Sequence, residues 1–404
     1  MSPTRLTKPF FVLGIAATLL ALTSASSAAP RKPNSADANT DSSSNTAQEH
    51  LAFTQNGHPQ TADGRILIEA ADGGILLQTN DGQLYQLDRA NIHERAKLDE
   101  PFKPLAPQIL AERLVSEMPA GFRSYNTPHY VIVYDTSRTY AQWTSSLLER
   151  LNKAFTNYWQ GQGIELHEPE FPLPILLFAT HQEYEQAARE DLPGGTGSII
   201  GFYSLRSNRV NMFDLTGTEA LRANGARGSL KEINQILSQP AAEPLVATIV
   251  HEATHQISFN NGLQQRYADI PLWLCEGMAV YFEAPDLSST RGWRGIGRVN
   301  YPRLEVFHKH LPDWNDNTLE FILRDATLFH NPRTAFDAYA DAWALNYYLI
   351  KYQTKNYTEY MKMLAEKPPL VDDTPETHLA EFREHFGDLN KLQQDFLKQM
   401  SRVK

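Results

Sequence analysis

His251-Glu252-Ala253-Thr254-His255 sets two imidazoles four residues apart, with a carboxylate beside the first. On a helix, residues at that spacing lie one above the other on a single face, so both rings can be aimed at one ion. This is the arrangement of the zinc metalloprotease motif. A catalytic zinc also needs a third protein ligand and an open fourth position, and His/His/Glu is one set that supplies it. Glu276, in Trp273-Leu274-Cys275-Glu276-Gly277, stands 21 residues beyond His255 and can return as that third ligand from a second helix. Glu252, next to the first ligand, is placed to take the proton of a metal-bound water. The chemistry predicted is hydrolysis of a peptide bond. Zinc lowers the pKa of its water to about 7 and polarises the carbonyl, and Glu252 acts as general base.

The motif alone is short, so the elements around it decide its weight. Leu245-Val246-Ala247-Thr248-Ile249-Val250 is apolar, with Leu245 and Ile249 one turn apart, as a core-facing helix requires. Pro244 suits a first helical turn, and Phe259-Asn260-Asn261-Gly262 reads as a helix stop. Trp273, Leu274, Met278 and Tyr281 give helical apolar spacing around Glu276. The competing reading is a surface helix with two histidines and an incidental acid, and these apolar flanks speak against it. A metzincin needs Gly and His where the chain has Ser258 and Asn261, which excludes that class. Cys275, the one cysteine, sits beside the acid in an apolar helix and reads as a small buried hydrophobe rather than a nucleophile or fourth ligand.

The run from His251 to His255, followed by Ile270-Pro271-Leu272-Trp273-Leu274-Cys275-Glu276-Gly277-Met278-Ala279-Val280-Tyr281-Phe282-Glu283, resembles the gluzincin, or peptidase-MA-like, metallopeptidases. Within them it is most similar to secreted bacterial proteins grouped as a domain of unknown function. The resemblance runs from about Phe122 to the C-terminus and is most specific over 245–283. It implies that His251, His255 and Glu276 bind Zn2+ and that Glu252 is the general base. Many gluzincins carry an Asp four residues after the ligand Glu to orient a ligand His. This chain has Val280 there, so that support must come from Glu283 or a backbone carbonyl. No Gly-x-Met-Glu-Asn-like motif is present, which weakens an aminopeptidase reading and leaves an endopeptidase or a peptidase of unknown specificity. The tetrahedral oxyanion needs a donor besides zinc. The candidate is Tyr339 in the helical pattern Ala338-Tyr339-Ala340-Asp341-Ala342-Trp343, where related families often carry a transition-state Tyr; the plainer alternative is a tyrosine packed on the core. His308, His310 and His330 have no spacing that recommends them. In gluzincins an edge strand before the zinc helix pairs with extended substrate, and Gly201-Phe202-Tyr203 or Asn211-Met212-Phe213 fits that place.

The expected fold class is α+β: a gluzincin-like catalytic domain over 121–404, with a small mixed sheet, a zinc helix and a helical C-terminal part, preceded by a small all-β module. Arg5 and Lys8, then the apolar run Phe10 to Leu22, then Ala25 to Ala29, form a secretory signal peptide over 1–28. Residues 29–56, rich in Ser, Asn, Thr and Asp, read as a disordered tether. Residues 57–96 carry short strand-like runs with hairpin signals at Asp72-Gly73-Gly74 and Asn80-Asp81-Gly82, an SH3-like pattern. Residues 97–120 read as a helical connector. Thr216 to Pro240 is a polar surface excursion, and the glycine-rich Pro193 to Gly197 and the loop Ser288 to Asn300 are candidate rims of the cleft.

The formal net charge of −10 without a basic cluster argues against nucleic acid as a partner. Once the signal is cleaved, no stretch is long and apolar enough for a transmembrane helix. A secreted, periplasmic or otherwise extracytoplasmic bacterial protein acting on a polypeptide or peptide substrate is expected. The alternative of a different class is a non-catalytic binding or assembly protein of the cell envelope that retains a metallopeptidase fold. The retained Glu252 favours the enzyme.

Overall fold

The computed structural model describes residues 12–13, 47–192, 199–217, 229–284, 293–324, 326–331 and 333–404. It is a mixed α+β structure with two sheets. The chain forms two compact units, one ending at Pro104 and one running from Leu105 to Lys404, the second also holding Val12–Leu13 (β1). Apart from β1, the expected signal peptide lies outside the described residues. Among those described, no helix is long and apolar enough to cross a membrane.

The first unit is the expected all-β module. Its strands are β2 (Gln48–Gln55), β3 (His58–Glu69), β4 (Ile75–Thr79), β5 (Leu84–Leu87) and β6 (Ile92–Leu98), paired antiparallel in the order β5-β4-β3-β2-β6. The module begins earlier than composition suggests, because β2 occupies the end of the expected tether. There Leu51 and Phe53 alternate with the less buried His50, Ala52 and Thr54 and join Ile75, Leu77, Leu87 and Ile92 in the core. Asn56-Gly57, both left-handed (φ 51° and 78°), turns β2 into β3, and Asn-Gly is the strongest two-residue hairpin signal.

The second unit holds a six-stranded sheet in the order β1-β10-β11-β9-β8-β7, formed with β7 (Arg123–Asn126), β8 (Tyr130–Tyr134), β9 (Leu173–Phe178), β10 (Gly201–Ser204) and β11 (Val210–Phe213). β8, β9 and β11 run parallel, and β8 and β9 are buried at every residue. That explains why their sequences are unbroken apolar runs rather than alternating ones. β10 lies outermost but for the two residues of β1, which pair with it antiparallel, whereas β11 is interior. Of the two segments expected at the edge, neither is outermost; Gly201-Phe202-Tyr203 lies nearer to it, with only β1 beyond.

Helix α1 (Pro107–Glu117), expected as a connector, sends Leu110, Ala111 and Leu114 into the core of this second unit. α2 (Arg138–Gly161) is capped by Ser137 and buries Leu147, Leu148, Leu151 and Phe155, as its periodicity predicts. Then come α3 (His181–Ala188) and α4 (Leu230–Leu237). The latter corrects the expectation of a polar excursion. Ser229 and Glu232 form a capping box, and Ile233 and Leu237 are buried four residues apart, a local signal masked by polar neighbours. Residues 193–198, 218–228 and 285–292, which include the expected glycine-rich rim and part of the Ser288–Asn300 loop, lie outside the described residues.

The site is framed by α5 (Glu243–Asn260), α6 (Leu272–Phe282), α7 (Tyr301–His310) and, after α8 (Thr318–Arg324) and α9 (Thr327–His330), α10 (Ala335–Tyr352). α11 (Thr354–Ala365), α12 (Pro375–Phe386) and α13 (Leu389–Met400) complete the helical part, the last two separated by Gly387. α6 and α10 touch at Gly277, where a Cβ would collide with the Asn346 side chain and the Ala342 carbonyl. Asn346 Nδ2 bridges the two helices by donating to the Trp273 carbonyl at 3.0 Å. Gly277→Ala is expected to cost about 2–3 kcal/mol by overpacking, read as a lower denaturant midpoint at constant slope. A loss below about 0.5 kcal/mol would mean that the helices part freely.

Candidate metal centre

Helix α5 carries His251 and His255 on one face, and α6 carries Glu276 opposite them. α6 is buried at every residue but Leu272, and α5 from Thr248 onward at every residue but Phe259, which takes these three polar side chains inside with them. His251 and His255 are 0 % exposed and Glu276 1 %. The Glu276 Oε2 atom lies 3.1 Å from His251 Nε2 and 3.6 Å from His255 Nε2, and the two Nε2 atoms are 3.1 Å apart. Three donors each about 2.0–2.1 Å from one tetrahedral ion would stand about 3.3 Å apart. The chain thus brings one oxygen and two nitrogens to the spacing that a four-coordinate divalent cation requires, and the donor set fits.

The distal ring nitrogens are also engaged. His251 Nδ1 donates to Glu283 Oε2 at 3.1 Å, and His255 Nδ1 lies 3.6 Å from Cys275 Sγ. With Nδ1–H held by Glu283, the Nε2 lone pair of His251 faces the centre. Glu283, the C-cap residue of α6, follows Glu276 by seven residues, two helical turns along the same face. It is held in turn by Asn300 Nδ2, which donates to its Oε1 at 2.7 Å, and Arg303 Nε lies 3.9 Å from that oxygen. Of the two supports expected for a ligand histidine, the geometry selects Glu283. Asn300 and Arg303 carried no sequence signal, since they act from the N-cap and first turn of α7, a separate element.

Three carboxylates, Glu252, Glu276 and Glu283, are buried together. Buried charges require counter-charges or a metal. Burial disfavours a charge on His251, but hydrogen bonds to Glu276 and Glu283 outweigh it and push its pKa up to about 10. Burial lowers the pKa of His255. Burial would raise Glu276, yet the two imidazoles hold it well below the usual carboxylate range. Burial also pushes the Cys275 thiol up, which keeps it protonated and fits the reading as a small hydrophobe.

Glu252 is 0 % exposed, and its Oε2 accepts the backbone N–H of Tyr203 in β10 at 2.9 Å. Tyr339, on α10, is buried, with Phe329 edge-on at 5.3 Å and the Arg303 guanidinium 5.6 Å from its ring centre. Burial raises the pKa of its hydroxyl, and the Glu276 and Glu252 carboxylates raise it further, so this hydroxyl lies within the field of the centre as a protonated donor. His308 and His310 bond elsewhere, to the Met400 carbonyl at 3.1 Å and to Asp341 at 3.2 Å. A second cluster, Asp269, Asp373 and His378, also brings ligand atoms together, but Lys367 Nζ already sits 2.5 Å from Asp373 as its cation.

No curated protein matches the chain. Residues 245–371, less than half of its length, match the model of a family described as "Protein of unknown function (DUF1570)". That range begins in the first turn of α5 and contains every side chain described at the centre, from His251 to Tyr339, so over its site-bearing part the chain is similar to that family.

Proposed function

We propose that the protein is a zinc-dependent peptidase of the gluzincin kind, an endopeptidase acting on polypeptide or peptide substrates outside the cytoplasmic membrane. The observation that carries this reading is the convergence of His251, His255 and Glu276 at tetrahedral spacing, with Glu252 beside them. A bound zinc supplies Lewis acidity, lowering the pKa of water and polarising a carbonyl. The protein side chains do the rest. Glu252, fixed by the Tyr203 N–H, takes a proton from the attacking water and passes it to the leaving amine. The Tyr339 hydroxyl, kept protonated by burial and the neighbouring carboxylates, donates to the developing oxyanion. On its outer side β10 is paired only by the two residues of β1, which supports binding of extended substrate by strand addition at that side of the sheet.

The test is metal content by mass spectrometry together with hydrolysis of casein or a quenched-peptide library. One equivalent of zinc and cleavage are expected; stoichiometric zinc without cleavage of any peptide would favour the non-catalytic envelope protein. Tyr339→Phe is expected to lower kcat by about 100-fold with little change in KM. An unaltered kcat would return Tyr339 to a packing role. Glu283→Gln is expected to weaken zinc binding by about 10–100-fold, because an amide fixes the His251 ring less firmly and adds no basicity. Chelator competition measures this, and an unchanged affinity would remove Glu283 from the support of the site.

A further inference from the structure

Helix α5 bears a second polar stripe beside the two histidines. Glu252, Gln256 and Asn260 follow one another at four-residue steps, all buried, and face the hairpin of β10 and β11. Each bonds to it. Glu252 Oε2 accepts the Tyr203 N–H, and Gln256 Nε2 donates to the Asn208 carbonyl at 2.8 Å. Asn260 and Asn208 form a reciprocal amide pair, with Nδ2 to Oδ1 distances of 2.7 and 2.9 Å. The Tyr203 hydroxyl donates to the same Asn208 Oδ1 at 2.8 Å, so the residue whose N–H holds Glu252 is tied at its other end to the amide pair. Asn208 occupies the turn at φ 59°, a left-handed conformation that Asn tolerates and β-branched or bulky residues do not.

We propose that Asn208 and Asn260 are positioning residues for Glu252. They lock the hairpin against α5 so that the Tyr203 N–H is held on the Glu252 carboxylate. Neither touches the converging donors, so they act on the base and not on the metal. An apolar pair would serve burial equally well. Two primary amides in full reciprocal bonding instead fix distance and register, and so set where the Tyr203 N–H meets the Glu252 carboxylate.

This inference rests on the peptidase reading, and its test separates the two. Asn208→Gly removes the amide while keeping the left-handed turn accessible. Hydrogen–deuterium exchange of the Tyr203 amide is measured in the full-length protein, with Glu252→Ala setting the released rate. Exchange about tenfold faster than in the parent is expected, with helix α5 protected as before. With zinc stoichiometry unchanged, kcat is expected to fall by about tenfold or more while KM stays within about twofold, because the base is displaced and substrate binding is not. Asn260→Ala should match it, and the double variant should be no worse than either single one, since the pair acts as a unit. Tyr203→Phe, which spares the backbone N–H and removes one anchor, should show the same changes in smaller degree and serves if Asn208→Gly does not fold. Unchanged exchange at Tyr203, or a kcat loss that tracks lost zinc, overturns the proposal. If the parent cleaves no peptide, the peptidase reading falls, while the exchange measurement still decides whether the amide pair holds the hairpin on Glu252.

Discussion

Replacing Glu252 with Gln is expected to abolish nearly all turnover and leave the metal and the fold in place. The amide has the shape of the carboxylate and keeps an oxygen to accept the Tyr203 N–H, so the 2.9 Å contact can persist. It cannot accept the proton of the attacking water, and loss of a general base costs about 10²–10⁴ in rate. The side chain is 0 % exposed, among two other carboxylates. Removing a buried negative charge should therefore not destabilise the protein and is expected to raise its unfolding temperature, as is common where a site holds groups for chemistry at the expense of stability. The measurements are kcat on a quenched peptide, zinc per chain, and thermal unfolding. A variant that retains more than about a tenth of the parent turnover would sink the assignment of Glu252 as the base.

Glu276→Ala should behave in the opposite way, losing the metal first and activity as a consequence. Its Oε2 is one corner of the donor triangle, 3.1 and 3.6 Å from the two imidazole nitrogens. Without it two histidines remain, a set that leaves half of a tetrahedral shell without a protein donor. Zinc bound to the parent at about a thousand times its Kd would stabilise the folded state by about 4 kcal/mol. Chelation should therefore lower the unfolding temperature of the parent and leave that of Glu276→Ala unmoved. The variant should contain no stoichiometric zinc. If the parent does not respond to a chelator, or if Glu276→Ala still holds one equivalent, the three residues are not a ligand set.

Much of this centre was legible before any coordinates. The four-residue spacing of His251 and His255 is a statement about one helix, and helical period converts spacing directly into a shared face. The apolar stretches flanking both motifs likewise require burial, so residue types allowed Glu276 to return toward the histidines from a second helix without fixing that it does. Glu283 was one of two supports weighed for a ligand histidine, and its choice needed the crossing of α5 and α6. Asn300, Arg303 and the Tyr203 N–H had no local signal. Their contacts span 17, 20 and 49 residues of chain, and no periodicity links partners that meet only when separate elements pack.

The same division runs through the fold. Continuous apolar runs marked β8 and β9, and alternation with turn residues marked the small β module, because local burial imposes local pattern. Helix α4 and strand β2 were hidden by polar composition, although a capping box and an Asn-Gly turn signalled them. The sequence by itself determined which residue types could bind and activate, and that α5 and α6 must be interior helices. The tertiary structure alone decided that Glu276 comes within 3.1 and 3.6 Å of the two histidine nitrogens, that Glu283 rather than a carbonyl holds His251, and that β10 rather than β11 lies next to the outermost β1. Those outcomes depend on how close-packed elements are arranged in space, and side chains distant in sequence have no common period to record it.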